Sequence, residues 1–381
     1  MHPDPVRAVS FFVAEVTPQT KWTFVEVETR AGLRGLGEAT LDAQEGAVSD
    51  AAEALAGAAL GWVHSDPAML PAILPAELPQ AAALSAFDQA LWDIAAKRRG
   101  VALSQALGGA RRDTVKVYAN INRRTRERSP AAFAASARAA VEAGHDAVKL
   151  APFDEVDVTA CRAGSYDLLC PGLDRISAVR AAIGPSVGVM VDCHWRLDPA
   201  AADHVIGAAG ELGVRWIECP LPETPDNIAA IVRLRGVANR HGMVLAGLET
   251  TIGLASFMPF IRAGAYDVIM PDIKYVGGLA EFARLADALR GAGIGLSPHN
   301  PSGPVSQVAS LHFCAATAED CLLETQFDET RLFGALVGDV SNGTTHGRMP
   351  VPPGPGLGLE LDREALGPRL VMDWRRETDR R

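Results

Sequence analysis

The stretch VGVMVDCHWRL, Val187 to Leu197, decides the fold. It begins as an apolar, β-branched run of the kind found in strands buried on both faces of a parallel sheet. At its C-terminal end it turns polar and presents Asp192, then His194. Strand side chains alternate with period two, so these two are expected on the same side. A carboxylate buried alone is strongly disfavoured, so Asp192 is expected to meet a cation.

The same texture recurs on both sides of this stretch. Strand candidates are VKVYANI (115–121), AVKLA (147–151), VGVMVDCH (187–194), WIECP (216–220), VLAGLE (244–249), VIMPDI (268–273), IGLSPHN (294–300) and LLETQF (322–327). Ala-rich segments of helical period separate them. Eight short strands at this spacing predict a parallel α/β barrel. An open doubly wound sheet would carry a Gly-rich phosphate turn after its first strand, and YANINRR has none. The widest interval, APFDEVDVTACRAGSYDLLCPGLDR, reads as a loop insertion near the active-site face.

Ahead of the barrel, 6–13 and Lys21 to Thr29 read as strands, and Ala31-Gly32 turns the chain into LRGLGEA to form a hairpin. Helical patterns run over 45–60 and 78–99, the second stopped by Gly100. An Ala-rich apolar stripe such as ALWDIAAK is ordinarily core. After Phe327 the Pro/Gly-rich VSNGTTHGRMPVPPGPGLGLE is expected to return to the N-terminal α+β unit. The predicted division is 1–113, 114–328 for the barrel, and 329–381 for the return.

Composition narrows the function. Of 381 residues 48% are hydrophobic, enough for a large core, and the formal net charge is −10 with no long Lys/Arg block. Nucleic-acid binding, which rests on basic contacts, is not expected. The N-terminus shows no signal-peptide pattern, and no apolar stretch reaches the ~18 residues of a membrane span. The six cysteines show no zinc-like spacing and read as small core residues. A soluble, cytoplasmic protein is the expectation.

In a βα barrel the C-terminal strand ends ring one face. Here they carry Asp192, Glu218, Glu249, Asp272, His299 and Glu324, separated by 26, 31, 23, 27 and 25 residues, each near one βα unit. Three carboxylates from adjacent strands, Asp192, Glu218 and Glu249, with no His or Cys at those positions, suit Mg²⁺, with Mn²⁺ as its substitute, better than zinc. Asp272 beside His299 would fix the tautomer of the imidazole and raise its basicity, as for a general base. Glu324 would close the ring, held protonated as a donor to a developing oxyanion. His312, on a helical pattern, reads as a satisfied core histidine.

The ordered set Asp192, Glu218, Glu249, Asp272-Ile-Lys-Tyr-Val-Gly-Gly, Ser-Pro-His299-Asn-Pro and Leu-Glu324 resembles the enolase superfamily, mandelate racemase subgroup. ALWDIAAK with LGG, and GPGLGLELD, resemble that family's passages out of and back to its capping domain. The resemblance implies a modified (β/α)7β barrel with an α+β capping domain, Mg²⁺, and an enediolate formed by α-proton abstraction from a carboxylate substrate. It also implies a homo-oligomer, and a pocket closed by capping loops around Val16 to Trp22 and the 40s. Many members carry Lys-x-Lys at the second barrel strand; here Lys149 is present and Ala151 replaces the other lysine, which weakens a two-base racemase. Where lactonising and dipeptide-epimerase branches place a lysine, this chain has Asp272. Asp192-Cys193-His194 is similar to the Asp-x-His of acid-sugar dehydratases, in which the histidine protonates a leaving hydroxyl.

The resemblance thus implies dehydration of a sugar acid to a 2-keto-3-deoxy acid. His299 with Asp272 would remove the C2 proton, Glu324 and Lys149 would hold the enediolate, and His194 would protonate the departing hydroxyl. The alternatives are a racemase, epimerase or lactone cycloisomerase working through the same enediolate, or an inactive barrel serving as a binding protein. A metal-dependent hydrolase would want His-x-His on the first strand, and Tyr118-Ala119-Asn120 does not supply it. Lys21, Arg123, Arg124 and Arg196 are candidates for polyol or distal-carboxylate contacts.

Overall fold

A computed structural model describes residues 4–70, 74–157, 159, 166–337 and 343–378. An antiparallel sheet contains β1 (Val6–Glu15), β2 (Lys21–Thr29) and β3 (Arg34–Glu38), with the last strand, β13 (Leu370–Glu377), on the outer side of β1. The hairpin forms as predicted, with Phe24 opposite Glu38, Glu28 opposite Arg34, and Gly32 at φ +86°, a conformation other residues rarely adopt. Lys21 and Trp22 open β2, as the strand reading of 21–29 predicts. Helix Leu78–Arg98 packs against β3 at a distance only glycine allows. A Cβ on Gly35 or Gly37 would lie 2.0 or 1.9 Å from the carbonyl oxygens of Ala90 and Ala86.

The second sheet is parallel: β4 (Thr114–Asn120), β5 (Ala147–Leu150), β6 (Gly188–Asp192), β7 (Trp216–Glu218), β8 (Val244–Gly247), β9 (Val268–Ile269), β10 (Gly295–Leu296) and β11 (Leu322–Gln326). Neighbours pair in sequence order from β4 to β10, and β11 pairs with β4. Between β10 and β11 the ring is joined at the strand ends, where the Glu324 N–H donates to the Pro298 carbonyl at 3.3 Å. Among the described residues a helix of 11 to 14 residues follows each strand from β4 to β10, and β11 is followed only by the short helix Leu332–Val337, which gives the expected (β/α)7β barrel. Pro130, Pro199 and Pro304 open three of these helices, where the missing N–H costs nothing.

Strand alternation sorts the core into two. Val117, Val191, Ile217, Leu245 and Ile269 face outward into the large helix-covered core. Tyr118, Met190, Trp216, Ala246 and Met270 face inward and fill the barrel as a separate cluster. The next inward positions along β4, β6, β7 and the β9 segment are Asn120, Asp192, Glu218 and Asp272, so this apolar layer is the floor of a polar site.

One detail differs from expectation. The C-terminal return first adds β12 (Arg348–Pro350) antiparallel to the N-terminal half of β4, and only then reaches the first sheet through β13. The loop after β5 is described in part: residues 158 and 160–165, including Cys161, lie outside the described residues, while Arg175 holds Glu155 at 2.6 Å beside them. Among the described residues no helix is long and apolar enough to cross a membrane.

Candidate active site

The six strand-end residues meet. Asp192, Glu218 and Glu249 are buried and each offers a carboxylate oxygen within 4.8 Å of the others. Asp192 and Glu218 arrive by simple alternation. Glu249 does not, because Ala246 faces inward and alternation would send Leu248 inward after it. The backbone of Leu248 instead adopts a left-handed φ of 72°, its side chain joins the outer core, and Glu249 takes the inward position.

The charges are unbalanced. Lys149 is buried between Glu218 at 2.5 Å and Glu324 at 2.9 Å. Burial opposes its charge, but these two carboxylates push its pKa well above the ordinary lysine range. Burial raises Glu218 to about 8 despite Lys149, with Asp192 and Glu324 adding to the rise. Glu249 is raised well above the carboxylate range by burial and by Asp192 and Glu218. Its Oε2 is buried without a hydrogen-bond partner. A divalent cation among the three oxygens would satisfy that atom and offset the repulsion, and an all-carboxylate set fits a hard cation.

Across from these lies the dyad. His299 Nδ1 is 2.8 Å from Asp272 Oδ2, and its Nε2 lies 3.4 Å from Glu249 Oε2, facing the carboxylate cluster. Burial would raise Asp272, but Lys274 and His299 hold its pKa below the usual value. Lys274, two residues on, is buried and donates to Asp272 Oδ2 at 2.6 Å and to the Ser302 hydroxyl. Its place was not legible in the sequence, since nothing in its spacing shows that it shares the carboxylate that holds His299.

His194 reaches the cluster by another route than alternation. β6 ends at Asp192, and His194 and Trp195 take left-handed φ values of 47° and 58°. The turn brings His194 Nε2 to 2.7 Å from Asp192 Oδ2, with the side chain 42% exposed. Asp192 thereby raises the His194 pKa against burial, and burial of Asp192 is overridden by His194 and Lys149, which lower it to about 2. In the eight-strand order, β6 and β10 stand opposite, so His194 and His299 approach from opposite sides.

Glu324 closes the ring between Lys149 and Asn300. Its Oε1 accepts from Asn120 Nδ2 at 2.7 Å and from Lys149, and its Oε2 accepts from the Asn300 N–H at 2.9 Å. Burial favours the neutral acid, yet Lys149, His299 and the Asn300 N–H hold its pKa below the ordinary range. Three donors therefore converge on this carboxyl, which acts as their acceptor.

The basic candidates are each engaged. Lys21 lies 3.5 Å from Glu45, Arg123 3.5 Å from Glu329, and Arg124 3.0 Å from Asp328. Arg196 donates to the carbonyls of Phe153 and Asp154. Capping residues do approach the barrel loops: Thr20 donates to Glu329, and Tyr275 donates to the Thr40 carbonyl at 2.8 Å. His312 is a buried core histidine, accepting from the Ser104 N–H at 3.3 Å and bonded to the Leu357 carbonyl at 3.0 Å.

Known proteins carry the same architecture. The chain is 27% identical over 373 residues to the D-galactonate dehydratase of Ralstonia nicotianae, covering 93% of each protein. It is 30% identical over 293 residues to the D-galactarolactone cycloisomerase of Agrobacterium fabrum, covering 74% of this chain and 72% of the relative. A crystal structure of an enolase protein from Sargasso Sea environmental DNA superposes with a TM-score of 0.80 at 29% identity, over 99% of this chain and all of the other. Residues 3–108 match the model of the mandelate racemase / muconate lactonizing enzyme N-terminal domain. Residues 132–365 match the enolase C-terminal domain-like model. The chain therefore belongs to the enolase superfamily, in its mandelate racemase / muconate lactonizing enzyme group.

Proposed function

We propose that this protein is a Mg²⁺-dependent acid-sugar dehydratase that converts a sugar acid to its 2-keto-3-deoxy product. The observation that carries the reading is the pair of opposed histidines: His299, held by Asp272 and facing the carboxylate cluster, and His194, held by Asp192 from the other side. Asp192, Glu218 and Glu249 would hold the ion, which supplies charge neutralisation for the substrate carboxylate. Asp272 fixes the proton on His299 Nδ1, leaving the Nε2 lone pair to take the C2 proton. Lys149, kept cationic by Glu218 and Glu324, donates to the oxygens of the enediolate. Glu324 acts through Lys149 and through the Asn300 N–H beside His299. His194, kept protonated by Asp192, gives its proton to the departing C3 hydroxyl.

One proton leaves C2 and one arrives on the leaving oxygen, so the net change is loss of water. The relatives named as dehydratases of D-galactonate, D-xylonate and D-gluconate support this reading. The test is a panel of mono- and diacid sugars incubated with the protein and Mg²⁺, scored for 2-keto acid and for deuterium uptake at C2. A panel giving neither would sink it. The cycloisomerase relative supports a second reading, in which the same proton abstraction yields an isomer. Product mass separates the two: loss of one water against none.

A further inference from the structure

Glu223, in the loop after β7, lies outside every group of residues assigned above. Its side chain is half-buried and fully used. Its Oε2 accepts from the Trp195 indole N–H at 3.0 Å. Its Oε1 accepts from the Leu248 N–H at 2.5 Å, from the Tyr266 hydroxyl at 2.8 Å, and from the Cys219 thiol at 3.8 Å. These contacts share a pattern. Trp195, Cys219 and Leu248 have left-handed φ values of 58°, 44° and 72°, and each lies within three residues of one member of the carboxylate triad. Left-handed backbone is costly for any residue but glycine and persists only where its surroundings hold it.

A second observation points the same way. A Cβ on Gly247 would lie 2.2 Å from Glu223 Oε1 and 2.8 Å from the Tyr266 ring, so β8 carries glycine where this carboxylate crosses it. The turns are also stitched to one another, with the Trp195 N–H donating to the Cys219 carbonyl at 2.7 Å.

We infer that Glu223 is a positioning residue for the carboxylate triad: one side chain braces the three left-handed turns that aim Asp192, Glu218 and Glu249 at a common point. The inference rests on the proposed reading of that triad as a metal centre. Leu248 shows the consequence most directly. Released from Glu223, it can relax to extended backbone, and alternation would then turn Glu249 out of the barrel.

Three variants of the full chain test this. Glu223→Gln keeps an acceptor for Leu248 but turns an amide N–H₂ toward the indole N–H, setting donor against donor. Gly247→Ala displaces the carboxylate while leaving it chemically intact. Trp195→Phe removes one arm of the brace. The readout is the Mn²⁺ dissociation constant from the free-ion signal in electron paramagnetic resonance, with thermal unfolding followed in parallel. Wild type should bind one Mn²⁺. Glu223→Gln and Gly247→Ala should each weaken binding about 10- to 100-fold, the range for groups that orient metal ligands, and Trp195→Phe less. Combining the first two should cost no more than the worse one alone, since both break the same brace. Folded Glu223→Gln and Gly247→Ala proteins with wild-type Mn²⁺ affinity would overturn the inference. If Glu223→Gln does not fold, Gly247→Ala and Trp195→Phe decide on the same criterion. A wild-type chain that binds no Mn²⁺ overturns the proposed function as well, a result distinct from a binding wild type matched by its variants.

Discussion

At the scale of single residues, the two histidines divide the proposed chemistry, and replacing one should expose the other. His194→Asn removes the acid beside Asp192 without touching the His299–Asp272 pair. Dehydration should fall about 10²- to 10⁴-fold, the usual worth of a general acid, while deuterium exchange at C2 continues. Loss of both activities together, in a folded variant, would tell against the division. Lys149 invites a different experiment, because it separates Glu218 from Glu324 in a buried space. Lys149→Met should destabilise by about 3–5 kcal/mol, since it strands buried charge. Adding Glu324→Gln should recover part of that loss in urea unfolding, and a double variant no more stable than Lys149→Met would refute the charge-balance account. Asp192, Glu218, Asp272 and His299 were legible in the sequence because each sits at a strand end at regular spacing. Asn120, Asn300 and Glu223 were not, because their partners lie on other segments, and Lys274 was not, because no local pattern shows that its side chain folds back onto Asp272.

At the scale of elements, helix Leu78–Arg98 shows how an apolar reading can be right about packing and still miss fastening. Its Ala-rich stripe is core, as the sequence suggests. Buried among those alanines, Asp88 accepts from the Leu279 N–H at 2.6 Å, Gln89 from the Glu38 N–H at 3.1 Å, and Asp93 from the Leu36 and Leu357 N–H groups at 3.1 and 2.8 Å. One helix thus ties a barrel loop, β3 and the C-terminal return together. Burial raises Asp88 to about 7 against the Leu279 N–H and the Trp92 indole. A carboxyl with a raised folded pKa binds its proton more tightly when folded. Its contribution is therefore full below the unfolded value and is lost as pH rises from about 4 to about 7. Asp88→Asn keeps the acceptor and removes that slope. Relative to wild type, its urea stability should improve by up to about 3 kcal/mol between pH 4 and pH 8; parallel pH profiles would show the idea wrong. Glu38 fastens the opposite direction, accepting from the Gly303 and Ser306 N–H groups at the start of helix Pro304–Ala316 at 2.7 and 2.9 Å. Glu38→Ala should cost about 2–4 kcal/mol, measured by urea unfolding, and Glu38→Gln less.

At the scale of the whole molecule, folding assembles the triad, so a ligand of the triad should stabilise the fold. Mg²⁺ at about 100 times its dissociation constant should add about 2.7 kcal/mol, seen as a melting temperature that rises with Mg²⁺ and falls back with chelator. No shift over a wide Mg²⁺ range would weigh against the metal reading. The sequence by itself determined the barrel, because eight short, largely apolar runs at βα spacing have few other ways to bury both faces. It also determined which side chains stand at the strand ends. Only the tertiary structure decided how they converge: Glu249 is aimed inward by a left-handed Leu248 that alternation does not foresee, His194 by a turn after its strand has ended, and Glu324 is held as an acceptor because Asn120 on β4 and Lys149 on β5 close on it. Alternation is a local property of one chain segment. The strained turns and shared protons of the site persist only through contacts between segments far apart in the chain.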